Sequence, residues 1–458
     1  MVNFSSLEFL FRFLPVFLII YFIVPSKYRE IAFLAGSLIF YAVGEPVFIL
    51  VLVVATLLNF FIVELSWKVG EGFELHEWQK RRRKQYMIRA VFLDVAVLAV
   101  FKLLGAFVDH SLLPLGISYY IFKMISFQVD FYRKKAWEKP KLKNVALYFM
   151  MFPQVVSGPI MRYQEGEFEL PKECGMEQFE DGLKYFVLGL GMKVLLADKL
   201  AILWKDLQMI GFQSISTPLA WLGAAGFSLR LYFDFWGYSL MATGILVMLG
   251  YDFIENFNHP YASRSISEFY RRWHMTLGSW FRDYVYIPMG GSRCGKGRLI
   301  LNLALVWLLT GIWHGNGINY VIWGVLLGVF VIAEKLIYGK YLDKVPILGN
   351  LYVLFLIPLT WVVFAITDLK QLGIYFGRLF PLIGGAGIAV NRQDIIRYGQ
   401  SYWVFFAAGI ILCIPGVFRF FEKHKKNPVI ILLLAVVFWY SVYFLSGSAG
   451  NPFMYLNF

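Results

Sequence analysis

The sequence predicts an all-α protein that crosses a membrane many times. Three observations predict it. Apolar residues make up 59% of the 458 residues and charged residues only 16%, against roughly 25% charged in a soluble domain. Mean hydropathy is +0.61. Long stretches, 46–63, 299–333 and 428–458, contain no charged side chain. A soluble chain of this length has no core large enough to hide that much apolar surface. A soluble enzyme, a disordered regulator and a nucleic-acid-binding domain are excluded on the same ground.

Each element follows from run length and breakers. A hydrocarbon core of roughly 30 Å needs about 20 helical residues. Spans are expected near 7–24, 31–44, 46–63, 90–108, 114–131, 144–161, 182–200, 214–234, 236–251, 299–315, 318–334, 347–366, 401–418 and 428–446. Several are short, so about 11–14 membrane-embedded helices are expected, some of them re-entrant. The 299–333 run is expected to break at Gly315-Asn316-Gly317, because glycine turns cheaply. No internal repeat or soluble domain is evident, so residues 1–458 read as one transmembrane domain.

Loop charge suggests an orientation. Lys and Arg exceed Asp and Glu by 43 to 30, an excess that usually sits in cytoplasmic loops beside anionic lipid rather than on nucleic acid. Residues 64–89 carry seven basic and four acidic side chains, 132–143 six and one, and 259–298 seven and two. With the basic 419–427, these loops fall on one side when the spans are counted, and the acidic 162–180 falls on the other. That count places both termini outside the cytoplasm. Cys174, Cys294 and Cys413 are too scattered for a disulfide framework. The histidines lack metal-ligand spacing, and the first apolar stretch lacks the flanks of a cleavable signal.

Residues 252–298 carry the chemistry. They mix Arg with Trp, Phe and Tyr, and 266–286 reads as one amphipathic segment on the cytoplasmic side, ended by Pro288-Met289-Gly290-Gly291. His274 lies in it, next to Arg271 and Arg272; a wet interfacial imidazole is the plain alternative there. His314 sits in an otherwise apolar span, where an ionisable side chain usually faces a cavity or a partner. Its plain alternative is an interhelical hydrogen bond, with Thr310 one turn away. A buried neutral imidazole can take the proton of a hydroxyl that attacks an acyl carbon. The basic loop suits a donor such as coenzyme A, whose phosphates Arg and Lys could hold; lipid headgroups are the competing partner for each arginine.

These stretches resemble the membrane-bound O-acyltransferase family, and within it the bacterial alginate O-acetylation branch. The resemblance runs over nearly the whole chain: SLEFLFRFLPVFLIIYFIVPSKYR (6–29), LAGSLIFYAVGEP (34–46), PLGISYYIF (114–122), FPQVVSGPIMRY (152–163), LYFDFWGYSLMATG (231–244), ENFNHPYASRSISEFYRRWHMTLGSWFRDYVYIPMGG (255–291) and LLTGIWHG (308–315). It implies helices around a central tunnel, no bound cofactor or metal, and acetyl-CoA as donor entering from the cytoplasm. It implies catalysis at His314 and a second polar position at His274, with Arg271, Trp273, Asp283, Tyr286 and Trp313 supporting the site. It also implies a polysaccharide acceptor and an extracytoplasmic SGNH-type acetyltransferase partner. The IPMGGSR continuation (287–293) favours the acetylating branch over the D-alanyl-transferring relatives of teichoic acid modification, whereas Trp236 and Leu240, where many alginate-type members have Ser and Asp, lean toward those relatives.

The segment 447–458 is expected to be an extracytoplasmic tail. Phe453 to Phe458 has the form F-x-Y-x-x-F, similar to the terminal motif that such systems use as an acyl relay, which would fall on Tyr455; an aromatic interfacial anchor is the alternative. D-alanyl transfer from a carrier protein, and a transporter or flippase without chemistry, are the competing functions. Against the last, the chain has no inverted repeat of the kind many transporters show.

Overall fold

The computed structural model describes residues 3–70, 75–133, 139–163, 174–381 and 393–447. Every regular element among them is helical, and nine of the described helices are long and apolar enough to cross a membrane. The fold is that of an all-α polytopic membrane protein. Contacts divide it into two compact units.

The first unit holds residues up to Phe186 together with Met241–Ile254. It contains α1 (Leu14–Ile23), α2 (Arg29–Gly44), α3 (Ile49–Lys68), α4 (Glu77–Phe107), α5 (Ile117–Arg133), α6 (Leu142–Met150), α7 (Phe152–Val155) and most of α8 (Met176–Gly191). Its core is aromatic. The Phe152 ring lies 5.1 Å from Phe17, 5.3 Å from Phe13 and 5.4 Å from Phe40. Buried polar groups tie helices together where lipid offers no partner: Asn59 Nδ2 donates to Asp94 Oδ1, and Gln128 Nε2 donates to Asn59 Oδ1, both at 2.8 Å. The expected span 144–161 is the short pair α6 and α7. Nine residues rise about 14 Å, too little to cross on their own, as the re-entrant expectation allows.

The second unit holds Val187–Leu240 and the residues from Glu255. A π-helical stretch, Met192–Ala197, leads from α8 into α9 (Asp198–Ile210) and α10 (Thr217–Met248). Here Lys193 bridges two carboxylates, Asp198 at 2.5 Å and Asp234 at 2.9 Å. Then follow α11 (Ile266–Arg272), α12 (Met275–Phe281), α13 (Lys296–His314), α14 (Ile318–Ala333), α15 (Gly339–Lys344), α16 (Pro346–Ala365), α17 (Leu369–Leu379), α18 (Asp394–Cys413), α19 (Pro415–His424) and α20 (Pro428–Gly447).

Three expectations are corrected. The spans 214–234 and 236–251 are one helix, α10. Gly237 is no break; a Cβ there would sit 2.6 Å from the Gly189 carbonyl oxygen, so the glycine serves a close helix crossing. The span 401–418 ends early, because Pro415 cannot continue α18 and holds Ile414 extended. The amphipathic segment 266–286 is not continuous. It breaks between α11 and α12, where His274 takes φ 43° and ψ 56°.

The expected break at Gly315–Gly317 is present: α13 ends at His314 and α14 begins at Ile318. Small residues let this hairpin close. A Cβ on Gly324 would meet the Trp307 carbonyl oxygen at 2.5 Å.

Candidate active site

The segment before α11 and the kink after it are laced together by the backbone. Asn258 N–H donates to the Arg272 carbonyl and Met275 N–H to the Asn256 carbonyl, each at 2.9 Å. Helix α11 is capped twice at its start. Ser265 Oγ accepts from Glu268 N–H at 3.0 Å, as its Ser-x-x-Glu sequence would suggest. The buried Glu334 carboxylate, just past α14, accepts from Ile266 N–H at 2.6 Å, Ser267 N–H at 2.9 Å and Ser267 Oγ–H at 2.5 Å. A carboxylate suits this place because a helix start presents orphan N–H groups and positive potential.

His274 sits at the kink, 3% exposed. Its Nδ1 lies 3.0 Å from Asn256 Oδ1, and its ring lies 4.6 Å from that of Phe235. Burial pushes its pKa down to about 3. His259 occupies a second left-handed turn at φ 47°. Burial, helped by the charges of Arg419 and Arg272, pushes its pKa down to about 4. His314 is the last residue of α13, 5% exposed, with the rings of Trp313, Trp323 and Phe364 at 4.7, 5.0 and 5.3 Å. Thr310, the local candidate for its hydrogen bond, instead donates to the Val306 carbonyl at 2.7 Å.

A cavity of about 760 Å³ reaches both imidazoles, within the size range of small-molecule sites. Arg271, Trp273, His274, Tyr286 and His314 all line it. Asp283 is not on this lining; it pairs with Arg282, which is, at 2.7 Å. Trp313 is not on the lining; its ring packs edge-on against that of His314 at 4.7 Å. Tyr455 lies outside the described residues. Glu334, Lys335 and Ser267 also line the cavity, and sequence reasoning missed all three. A signal for Glu334 existed, since it is the first charge after the uncharged run 299–333. Among the described residues no three His, Cys, Asp or Glu side chains converge as a metal site.

The family model described as MBOAT, membrane-bound O-acyltransferase family, matches residues 33–345. The chain belongs to the membrane-bound O-acyltransferase family. It is thus a multi-pass membrane O-acyltransferase. The chain is 33% identical over 446 residues to the protein named "Probable alginate O-acetylase AlgI" of Pseudomonas syringae pv. tomato, covering 93% of this chain and 83% of the relative. It is 28% identical to the "Peptidoglycan O-acetyltransferase" of Helicobacter pylori, covering 99% of this chain and 97% of the relative. It is also 31% identical to the "Teichoic acid D-alanyltransferase" of Bacillus subtilis, there over 48% of this chain and 59% of the relative.

Proposed function

We propose that this acyltransferase moves an acetyl group from cytoplasmic acetyl-CoA toward hydroxyls of an exported or cell-surface polysaccharide. In this reading His314 is the general base. It takes the proton of an attacking hydroxyl as that oxygen bonds to the acyl carbon. The carbon–sulfur bond breaks, and the departing thiolate takes the proton back from the imidazolium. His274 is the second imidazole of the same site. Arg271 and Tyr286 hold the donor, Trp273 shapes the wall, Trp313 packs against the His314 ring, and Asp283 restrains Arg282. The observation that carries the reading is the single cavity lined by both imidazoles.

The acceptor is inferred from the relatives. Those named for O-acetyl transfer match 93% and 99% of this chain, and the D-alanyl relative 48%. Loop 252–298 faces the cytoplasm in this reading, as its basic excess favours. An extracytoplasmic SGNH-type partner then takes the acetyl group to the polymer, with Tyr455 as the acyl relay. D-alanyl transfer from a carrier protein is the second reading, supported by the Bacillus subtilis relative and by Trp236 and Leu240.

Membranes holding the chain and its partner are given acetyl-CoA labelled in the acetyl group. Label should pass to an ester with the wild type, and His314→Ala should lower the rate by about 10²-fold or more. Unchanged transfer by His314→Ala sinks the base assignment. Tyr455→Phe with normal polymer acetylation excludes the relay.

A further inference from the structure

We infer that Asn256 is a positioning residue for His274: it keeps the ring hydrogen on Nδ1 and leaves Nε2 as the bare acceptor. Thr276 N–H lies 3.3 Å from the Asn256 side-chain oxygen, and a backbone N–H can only donate. The atom it faces is therefore the amide oxygen, not the amide nitrogen. The other end of the amide agrees, because Asn256 Nδ2 donates to Ser239 Oγ at 2.9 Å. With the amide so oriented, Oδ1 is an acceptor for Thr276 Oγ–H at 2.9 Å and for His274 at 3.0 Å. A contact between that oxygen and Nδ1 binds only if Nδ1 carries the hydrogen. A neutral imidazole has one, so Nε2 holds the lone pair.

Nε2 has no hydrogen-bond partner among the described residues, and His274 lines the cavity. An unsatisfied buried acceptor is costly. A donor that reached this nitrogen would satisfy it. Three separated stretches meet in this chain of bonds: Ser239 on α10, Asn256 before α11, and His274 with Thr276 at the kink.

The partner's neutrality matters. An aspartate at this place would stabilise an imidazolium, as the acid of a Ser-His-Asp triad does. Asn256 holds the same geometry without the charge. The titratable groups that share the cavity are Tyr270, Arg271, Arg282, Tyr286, His314 and the pair Glu334 and Lys335. On its other side the ring meets the uncharged Asn256 amide and the Phe235 ring. His274 is thus built to accept a hydrogen bond while staying neutral, and this use in acyl transfer rests on the function proposed above.

The tautomer is read without any activity. The full chain, labelled with ¹⁵N-histidine and held in lipid nanodiscs, is compared with His274→Asn to assign the ring signals. A protonated Nδ1 and a bare Nε2, unchanged from pH 8 to 5, are expected. A hydrogen on Nε2, or on both nitrogens at pH 7, overturns the inference. Asn256→Asp should keep the tautomer and raise the ring pKa by about one unit or more; an unmoved titration also overturns it. In acetyl-CoA transfer, Asn256→Asp should stay within about tenfold of wild type, whereas Asn256→Leu should lose about 10–100-fold in kcat with little change in KM. Equal losses in both variants count against positioning. A wild type that transfers no label from acetyl-CoA sinks the function proposed above and leaves the tautomer to the spectra.

Discussion

His259 and His274 hold left-handed turns at φ 47° and 43°, a conformation that costs a residue with a Cβ of order 1–3 kcal/mol. Both rings are buried, and both have lowered pKa values, about 4 and about 3. The consequence for stability has a definite sign. An unfolded histidine titrates near 6.5. Between there and the folded values the unfolded chain binds the extra proton, so the contribution of the two rings is whole above about pH 6.5 and is lost as pH falls toward 4 and 3. Thermal unfolding in nanodiscs should therefore show a lower Tm at pH 5 than at pH 7.5. The double variant His259→Asn, His274→Asn should flatten that difference, since asparagine tolerates the left-handed turn and carries no titrating ring. A pH dependence unchanged in the double variant would remove the rings as its source.

At the scale of elements, two short-range devices hold the site. The first is the carboxylate of Glu334 at the start of α11. Glu334→Gln keeps the size but loses the charge, and should cost about 1–3 kcal/mol, read as a lower unfolding midpoint. The second is the close α13–α14 crossing. Gly324→Leu should lower the midpoint by an amount equivalent to about 1–3 kcal/mol, whereas Gly297→Ala, with nothing within 4 Å of the new Cβ, should not. A tolerated Gly324→Leu would mean the hairpin relaxes without cost.

Legibility at this scale divides along a physical line. The α13–α14 break could be read because an uncharged run of that length holds two spans and Gly315 to Gly317 is a local turn signal. The continuity of α10 could not, because Gly237 answers to the Gly189 backbone and not to its own neighbours. The kink at His274 was hidden for the opposite reason, since a histidine gives no local sign of a positive φ. Arg271, Trp273, Tyr286 and both imidazoles were legible as a pair of motifs, while Glu334 and Asn256 act through contacts 68 and 18 residues away in sequence.

For the whole molecule, orientation in the membrane is the property that the proposed transfer needs. Cys294 offers a test. It is half-buried in the basic turn before α13, its Sγ 3.2 Å from the Gly291 carbonyl oxygen, and the chain has only two other cysteines. With Cys174 and Cys413 replaced by alanine, an impermeant maleimide should label Cys294 in inside-out vesicles and spare it in right-side-out ones. The reverse pattern would place loop 252–298 outside and overturn the donor's route.

The Glu334 cap has a consequence for distance. His314 rides at the tip of the α13–α14 hairpin, and the same hairpin, through Glu334, grips the start of the helix that runs to His274. One stiff bracket thus sets the gap between the two rings, like the jaws of a gauge. A rigid tilt of that bracket on substrate arrival would carry both rings together and leave their separation unaltered.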